Sequence, residues 1–72
     1  MLLDKKEIGK RLFELRGDTK REVVAADNNI SVSALTMYET GKRVPRDEIK
    51  VNLAKYYHTS VGKLFYAEEC HT

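Results

Sequence analysis

Apolar residues recur along the chain at helical spacing, in short runs that are separated by turn residues. The first run places Ile8, Leu12 and Leu15 on one face of a helix. Asp4 can cap the start of this helix, and Glu7 three residues later completes a capping-box pattern. A glycine-aspartate pair then ends the helix, which is predicted to span about three turns.

A second, shorter helix is predicted to begin at Thr19 or at the residue after it. Thr19 and Glu22 form another capping-box pattern, and Val24 and Ala25 supply an apolar face. The pair Asn28-Asn29 is expected to end the helix, because asparagine tolerates the left-handed backbone region better than other non-glycine residues.

The third predicted helix has the clearest start and stop of the chain. Ser31 can cap its free amides, and Gly41 supplies the left-handed residue that ends it. Leu35 and Tyr38 fall on its inward face. The opposite face is small or uncharged and carries Val32, Ser33, Thr36 and Met37. A face without Lys and Glu side chains is expected to lie close against another molecule. The second helix, the asparagine turn and the third helix form a helix-turn-helix arrangement.

The rest of the chain predicts two more helices. Pro45 prevents the third helix from continuing through the following loop. Asp47 can cap a fourth helix, which is expected to end at His58. The inward stripe of this helix is Ile49, Leu53, Tyr56 and Tyr57. Ser60 can cap a short fifth helix, which contains Val61, Leu64 and Phe65.

These elements describe an all-α protein, a compact bundle of about five short helices without a convincing strand. No linker or repeat divides the chain, so residues 1–66 are interpreted as a single helix-turn-helix domain and residues 67–72 as a flexible tail. With 72 residues the chain has room for one modest core.

Composition narrows the class of protein. Hydrophobic residues make up 42% of the chain and charged residues 33%, which is typical of an ordered soluble domain. No apolar run approaches the thickness of a bilayer and no signal-peptide pattern is present, so we expect a cytoplasmic protein without a membrane partner. The net charge is +2, and residues 1–46 hold ten Lys or Arg against seven Asp or Glu. This positive half includes the third helix, which permits binding to a polyanion.

Few residues are candidates for catalysis or for binding a metal or cofactor. Cys70 is the single cysteine and lies beside His71 near the end of the chain, where an incidental exposed thiol is the simpler interpretation. His58 is predicted at a turn, and neither a carboxylate pair nor a glycine-rich phosphate loop accompanies it. We therefore expect no enzymatic activity, no cofactor, no bound metal and no small-molecule substrate.

A series of short motifs runs in order along nearly the whole chain. The motifs are Ile8-Gly9-Lys10-Arg11-Leu12, Leu15-Arg16, Val24-Ala25, Ile30-Ser31, Leu35, Tyr38-Glu39, Gly41-Lys42-Arg43-x-Pro45, Leu53-Ala54-Lys55, Ser60-Val61 and Leu64-Phe65. In this order they resemble the lambda-repressor-like, XRE-type helix-turn-helix family of DNA-binding regulators.

The chain also departs from the pattern of this family. Members commonly have glutamine in place of Arg21, a larger apolar residue in place of Asn28, glycine in place of Asn29, and a polar or basic residue in place of Val32. The link between the first two helices is shorter than usual. The fold expectation is unaffected by these departures, whereas the details of base recognition stay open.

The resemblance implies that the helix after Ser31 enters the DNA major groove by its amino-terminal end. Its base-contacting residues would be Val32, Ser33, Thr36 and Met37. None of these side chains can make the bidentate pairing of arginine with guanine, so direct readout from this helix should be weak. Residues suited to DNA phosphates are Arg16, Lys20, Arg21, Lys42 and Arg43.

Each of these roles has an alternative within the protein itself. Met37 can pack on the edge of the core, and Thr36 can donate a hydrogen bond to a carbonyl of its own helix. Arg21 can pair with Glu22 or Glu39, and Glu39 is interpreted as a structural partner near the turn.

One such domain contacts only a few base pairs, so a homodimer on a near-palindromic operator is expected. The candidate dimer interface is Val61, Phe65 and Tyr66, unless these groups only close the core of the monomer. The resemblance implies a bacterial or phage-encoded transcriptional regulator, a repressor in preference to an activator. The alternative is a protein-interaction module without specific DNA readout, which the apolar Val32 and Met37 would favour.

Overall fold

Five α-helices follow one another in the part of the chain that the computed structural model describes, residues 4–66. They are α1 (Lys5–Arg16), α2 (Arg21–Asp27), α3 (Val32–Glu39), α4 (Asp47–Tyr56) and α5 (Val61–Phe65). These residues form no strand, which confirms the predicted all-α class. The radius of gyration is 11.4 Å, close to the value of about 11 Å expected for a compact domain of this length. The predicted tail, with Cys70 and His71, lies outside the described residues.

Side-chain caps begin three of the helices, as the sequence predicts. The capping residues are Asp4 for α1, Ser31 for α3 and Ser60 for α5. Each side-chain oxygen accepts a hydrogen bond from an amide two or three residues further along, at 2.9–3.3 Å. These bonds satisfy donors that the first turn of a helix otherwise leaves unpaired.

The caps predicted for α2 and α4 are wrong. α2 begins at Arg21, and no side chain caps it. The capping position of α2 is Lys20, one residue after Thr19. Thr19 belongs to the turn that closes α1, where its amide donates to the Arg16 carbonyl at 3.0 Å. Asp47 is the first residue of α4 instead of its cap, and its carboxylate faces the Lys50 ammonium at 3.6 Å.

The predicted turn residues do end the helices. Positive φ angles occur at Gly17 (57°), Asn29 (59°), Gly41 (78°) and His58 (59°). This region of the backbone is open to glycine and is tolerated by a few polar residues. The turn between α2 and α3 therefore has the conformation expected of its asparagine pair.

Two groups of buried side chains hold the helices together. The main core comprises Ile8, Leu12, Tyr38, Leu53, Ala54, Leu64 and Phe65. A smaller one between α2 and α3 comprises Val24, Ala25 and Leu35. Since α3 contributes to both, it is packed from two sides, by α1 and by α2.

Leu15 does not join the core, and the prediction that it would is wrong. Its side chain is 43% exposed, because the inward line of α1 runs from Ile8 through Leu12 to Arg16 at intervals of four residues. A charged residue thus occupies an inward position on α1, where it needs a partner inside the protein.

Gly9 sets the distance between α1 and α3. A Cβ atom at this position would meet two backbone carbonyl oxygens of α3, that of Tyr38 at 2.8 Å and that of Glu39. Backbone atoms cannot move aside as the end of a flexible side chain can. Glycine is therefore required for α1 to lie this close to the last turn of α3.

We expect Gly9→Ala to lower the free energy of unfolding by about 3 kcal/mol, because α1 and α3 must separate to admit the methyl group. Lys10→Ala, an exposed position in the same helix, is the matched control and should change it by less than about 0.5 kcal/mol. Urea denaturation followed by circular dichroism measures both variants. Equal stability of the two would contradict the close approach of the helices.

Candidate functional site

Four residues predicted to contact bases form one exposed surface, which we call the outer face of α3. They are Val32, Ser33, Thr36 and Met37. Val32 is 38% exposed, Ser33 is exposed, and the other two side chains are partly exposed. None of them belongs to either group of buried residues. This face is thus open to another molecule.

Thr36 directs its hydroxyl proton back into its own helix. The hydroxyl donates to the Val32 carbonyl at 2.8 Å, which is the alternative that the sequence left open. Its oxygen can still accept a hydrogen bond from outside. Ser33 makes no such bond within residues 4–66, so it is the freer of the two hydroxyl groups.

A buried ion triad joins α3 to the first two helices. The Glu39 side chain is fully buried, and each of its two oxygens accepts from an arginine. Arg16 Nε donates to Oε2 at 2.7 Å, and Arg21 Nε donates to Oε1 at 2.9 Å. We call these three residues the Glu39 triad. These contacts confirm the structural role predicted for Glu39. They also confirm the alternative given for Arg21, which pairs with Glu39.

The triad gives both arginines an internal partner. The Arg16 side chain is only 12% exposed, and it also donates to the Thr19 carbonyl at 2.8 Å. The hydrogen bond to Glu39 raises the pKa of Arg16. Arg21 is 31% exposed and keeps an accessible edge. Of the two, only Arg21 presents a substantial surface to an external anion.

The loop after α3 places two cations beside the outer face. The amides of Lys42 and Arg43 both donate to the Met37 carbonyl, at 2.9 and 3.2 Å, which folds the loop back onto the last turn of α3. Both side chains are exposed and neither forms an ion pair with another described residue. Lys20, before α2, is exposed in the same way. These three charges are available to an anionic partner.

The predicted dimer interface is only partly a surface. Phe65 is 1% exposed and belongs to the main core, so its assignment to an interface is wrong. α5 has five residues, and it must bury both Leu64 and Phe65 to close the bundle. Val61 and Tyr66 pack against the core but stay partly exposed.

Lys50 is a buried cation that the helical pattern did not indicate. Its Nζ donates to the Tyr66 hydroxyl at 2.9 Å and lies 5.0 Å from the centre of the Tyr66 ring. The bond to this hydroxyl raises the pKa of Lys50. Because the partner is 16 residues away in the chain, no local signal could have predicted the pair.

A surface groove of about 430 Å³ lies between the end of α2 and α4. It is lined by Asp27, Asn28, Asn29, Asn52, Lys55 and Tyr56. The Tyr56 hydroxyl donates to Asp27 at 2.8 Å, and this bond raises the pKa of Tyr56. Within residues 4–66, no three His, Cys, Asp or Glu side chains are grouped as metal ligands would be. The helices of that region are also too short or too polar to cross a membrane.

Tyr57 lies close to the Glu39 triad. Its hydroxyl oxygen is buried and has no hydrogen-bond partner in the described part of the chain. Burial raises the pKa of Tyr57 to about 12, and the negative charge of Glu39 adds to the shift. A buried hydroxyl without a partner lowers the stability of the folded state.

Comparison with known proteins does not assign the chain to a family. No family model, no curated protein and no solved structure matches it. The likeness to XRE-type regulators therefore rests on the sequence motifs alone.

We expect Glu39→Gln to destabilise the protein by about 3 kcal/mol, because it leaves two guanidinium groups without their shared negative charge. Glu22→Gln is the matched control, since this glutamate is exposed on α2, and it should cost less than about 0.5 kcal/mol. Chemical denaturation gives both values. A loss below about 1 kcal/mol for Glu39→Gln would show that the triad does not hold α3 in place.

Tyr57→Phe should stabilise the protein by about 1 kcal/mol near neutral pH, because it removes an unpaired buried hydroxyl. The unfolded chain ionises Tyr57 near pH 10, whereas the folded chain keeps its proton until about pH 12. Wild-type stability should therefore fall across this interval, and the variant should lack that part of the fall. Urea denaturation at a series of alkaline pH values compares them, and an identical pH dependence in both proteins would contradict this account.

Proposed function

We propose that this chain is a sequence-specific DNA-binding transcriptional regulator, a repressor of bacterial or phage origin, that places α3 in the major groove of its operator. The proposal is carried by one observation, the exposed and uncharged outer face of α3 with unpaired cations beside it. The order of sequence motifs shared with XRE-type regulators supports it independently.

The dimensions and chemistry of α3 suit a groove. An α-helix with its side chains is about 10–12 Å in diameter, and the major groove is about 12 Å wide. Its outer face would bury no charge against the base edges. Val32 can pack on a thymine methyl group, and the Ser33 hydroxyl can exchange hydrogen bonds with a base.

The cations next to this face suit the walls of the groove. Lys42 and Arg43 are fixed to Met37 through their backbone amides, so their side chains start at the end of the outer face. Phosphates line the groove on both sides, and contacts with them set the register of a bound protein. Further phosphate contacts at the start of α2 would come from Lys20 and from the exposed edge of Arg21.

The firm attachment of α3 to α1 and α2 supports the same function. The Glu39 triad and the contact at Gly9 fix the last turn of the helix against α1 and α2. A side chain that reads bases must be positioned closely before binding, since disorder at the interface costs affinity.

We also propose that the protein acts as a homodimer, because one domain would contact too few base pairs for useful selectivity. With Phe65 in the core, Val61 and Tyr66 are the residues of the predicted interface that a second copy can reach. Paired reading helices would require a near-palindromic operator with half-sites about 34 Å apart.

A protein-interaction module is the second candidate function. It is favoured by the exposed Val32 and by Thr36, whose hydroxyl proton is directed into its own helix. Such a module would bind a partner protein through the outer face of α3 and would show no preference among DNA sequences.

Selection of bound fragments from a random duplex pool should yield an enriched, near-palindromic site. Val32→Ala should then weaken binding to that site by about 1 kcal/mol, roughly fivefold, and leave binding to unrelated duplex unchanged. Val51→Ala is the matched control, because Val51 is a similarly exposed valine on α4 and should leave both affinities unchanged. Fluorescence anisotropy with labelled duplexes measures them.

The two candidate functions give different results in this experiment. Failure to enrich any sequence, with wild-type protein binding all duplexes equally weakly, would count against the regulator and favour the interaction module. Arg21→Ala is not a suitable test of DNA contact, because it also removes one partner of the buried Glu39.

A further inference from the structure

The first turn of α1 lies directly against the loop that follows α3. A Cβ atom built at Gly41 would lie 3.2 Å from both Cα and Cγ of Lys6 and 3.4 Å from the carbonyl oxygen of Lys5. The stem of the Lys6 side chain therefore runs alongside this loop. Residues that are far apart in the sequence become neighbours on the surface.

This contact brings four exposed cations together, which we call the basic cluster. Its members are Lys5, Lys6, Lys42 and Arg43. None of the four forms an ion pair with another described residue. Asp4 and Glu7 are the acidic residues of the same turn of α1, so the local balance is four positive charges against two negative.

The acidic neighbour Asp4 is already engaged. Its carboxylate accepts hydrogen bonds from the amides of Lys6 and Glu7 as the cap of α1. The amides of Lys6 and Glu7 are thus occupied, and attraction for an anion comes mainly from the lysine side chains. Both lysine side chains are exposed and form no ion pair with another described residue.

Two of the five cations expected to bind phosphate are already engaged inside the protein, which favours a contribution from this cluster. These two, Arg16 and Arg21, are held by the buried Glu39. Affinity for DNA comes largely from cations that release counterions when they neutralise phosphates. The basic cluster supplies such cations at the end of the outer face of α3, where Lys42 and Arg43 are fixed to Met37.

We propose that Lys5 and Lys6 bind backbone phosphates of the DNA duplex together with Lys42 and Arg43, so that the first turn of α1 forms part of the DNA interface. This inference rests on the proposed function and extends it to two residues outside the set predicted to contact phosphates. The contacts set affinity and register and carry no base preference.

The test compares the salt dependence of binding for charge-matched variants. Lys5→Gln/Lys6→Gln should reduce the slope of log affinity against log salt concentration by about 1.8, since each lost phosphate contact removes about 0.9. Affinity at low salt should fall roughly tenfold or more. Lys55→Gln/Lys63→Gln removes two exposed lysines from α4 and α5 and should leave the slope at the wild-type value.

Lys42→Gln/Arg43→Gln serves as the reference for the loop contacts already proposed and should lower the slope by a similar amount. Random-sequence duplex of about 30 base pairs is sufficient, because phosphate contacts do not depend on an identified operator. Circular dichroism melts check that each variant folds, which is expected because all of these side chains are exposed.

The outcomes separate the inference from the function on which it rests. An unchanged slope for Lys5→Gln/Lys6→Gln, beside a reduced slope for Lys42→Gln/Arg43→Gln, would overturn the role of α1 and leave the proposed function standing. An equal reduction for Lys55→Gln/Lys63→Gln would also overturn it, since the protein would then respond to net charge alone. Wild-type protein that binds no duplex at low salt would overturn both.

Discussion

The buried carboxylate of Glu39 is the interaction on which the arrangement of the first three helices depends. One side chain from α3 receives a guanidinium from α1 and another from α2, so three elements meet at a single pair of oxygens. Such a group gives little net stability compared with apolar packing, because removing three charges from water is costly. Its contribution is specificity, because any packing that separated the three residues would leave the buried carboxylate without its partners.

The same turn of α3 also receives a close backbone contact from α1. Gly9 of α1 lies against the carbonyl groups of Tyr38 and Glu39, immediately beside the Glu39 triad. The carboxyl-terminal end of α3 is thereby fixed by a close steric fit as well as by the ion pairs of the Glu39 triad. At its other end the attachment is lighter: Ser31 caps the first turn, and Val32 and Ser33 stand outside the core. α3 is consequently held most firmly at its carboxyl-terminal end, whereas its first turn is more exposed.

Short-range features of the sequence predicted much of this fold. The caps at Ser31 and Ser60 and the positive φ angles at Asn29 and Gly41 depend on neighbouring residues, which a single sequence displays. The errors arose where a distant partner decides the outcome. An apolar spacing cannot show that Arg16 replaces Leu15 on the inward side of α1, because its counter-charge, Glu39, lies 23 residues away.

The residues of the candidate site were likewise predictable where neighbouring residues decide their position and unpredictable where distant contacts do. The outer face of α3 was predictable from helical spacing, since it is the complement of the buried Leu35 and Tyr38. Phe65 was misplaced because spacing within a five-residue helix cannot tell a side chain that closes the core from one that faces a partner. The proximity of Lys6 to Gly41 was hidden, because it results from the packing of α1 on α3.

The separation of the outer face of α3 from the core has an evolutionary consequence. Exchanges at Val32, Ser33 and Met37 leave the buried framework intact, so a lineage can change these side chains without first acquiring compensating stability. Gly9 and Glu39 have no such latitude. The chain divides into a scaffold that constrains its residues and a surface on which single substitutions are tolerated.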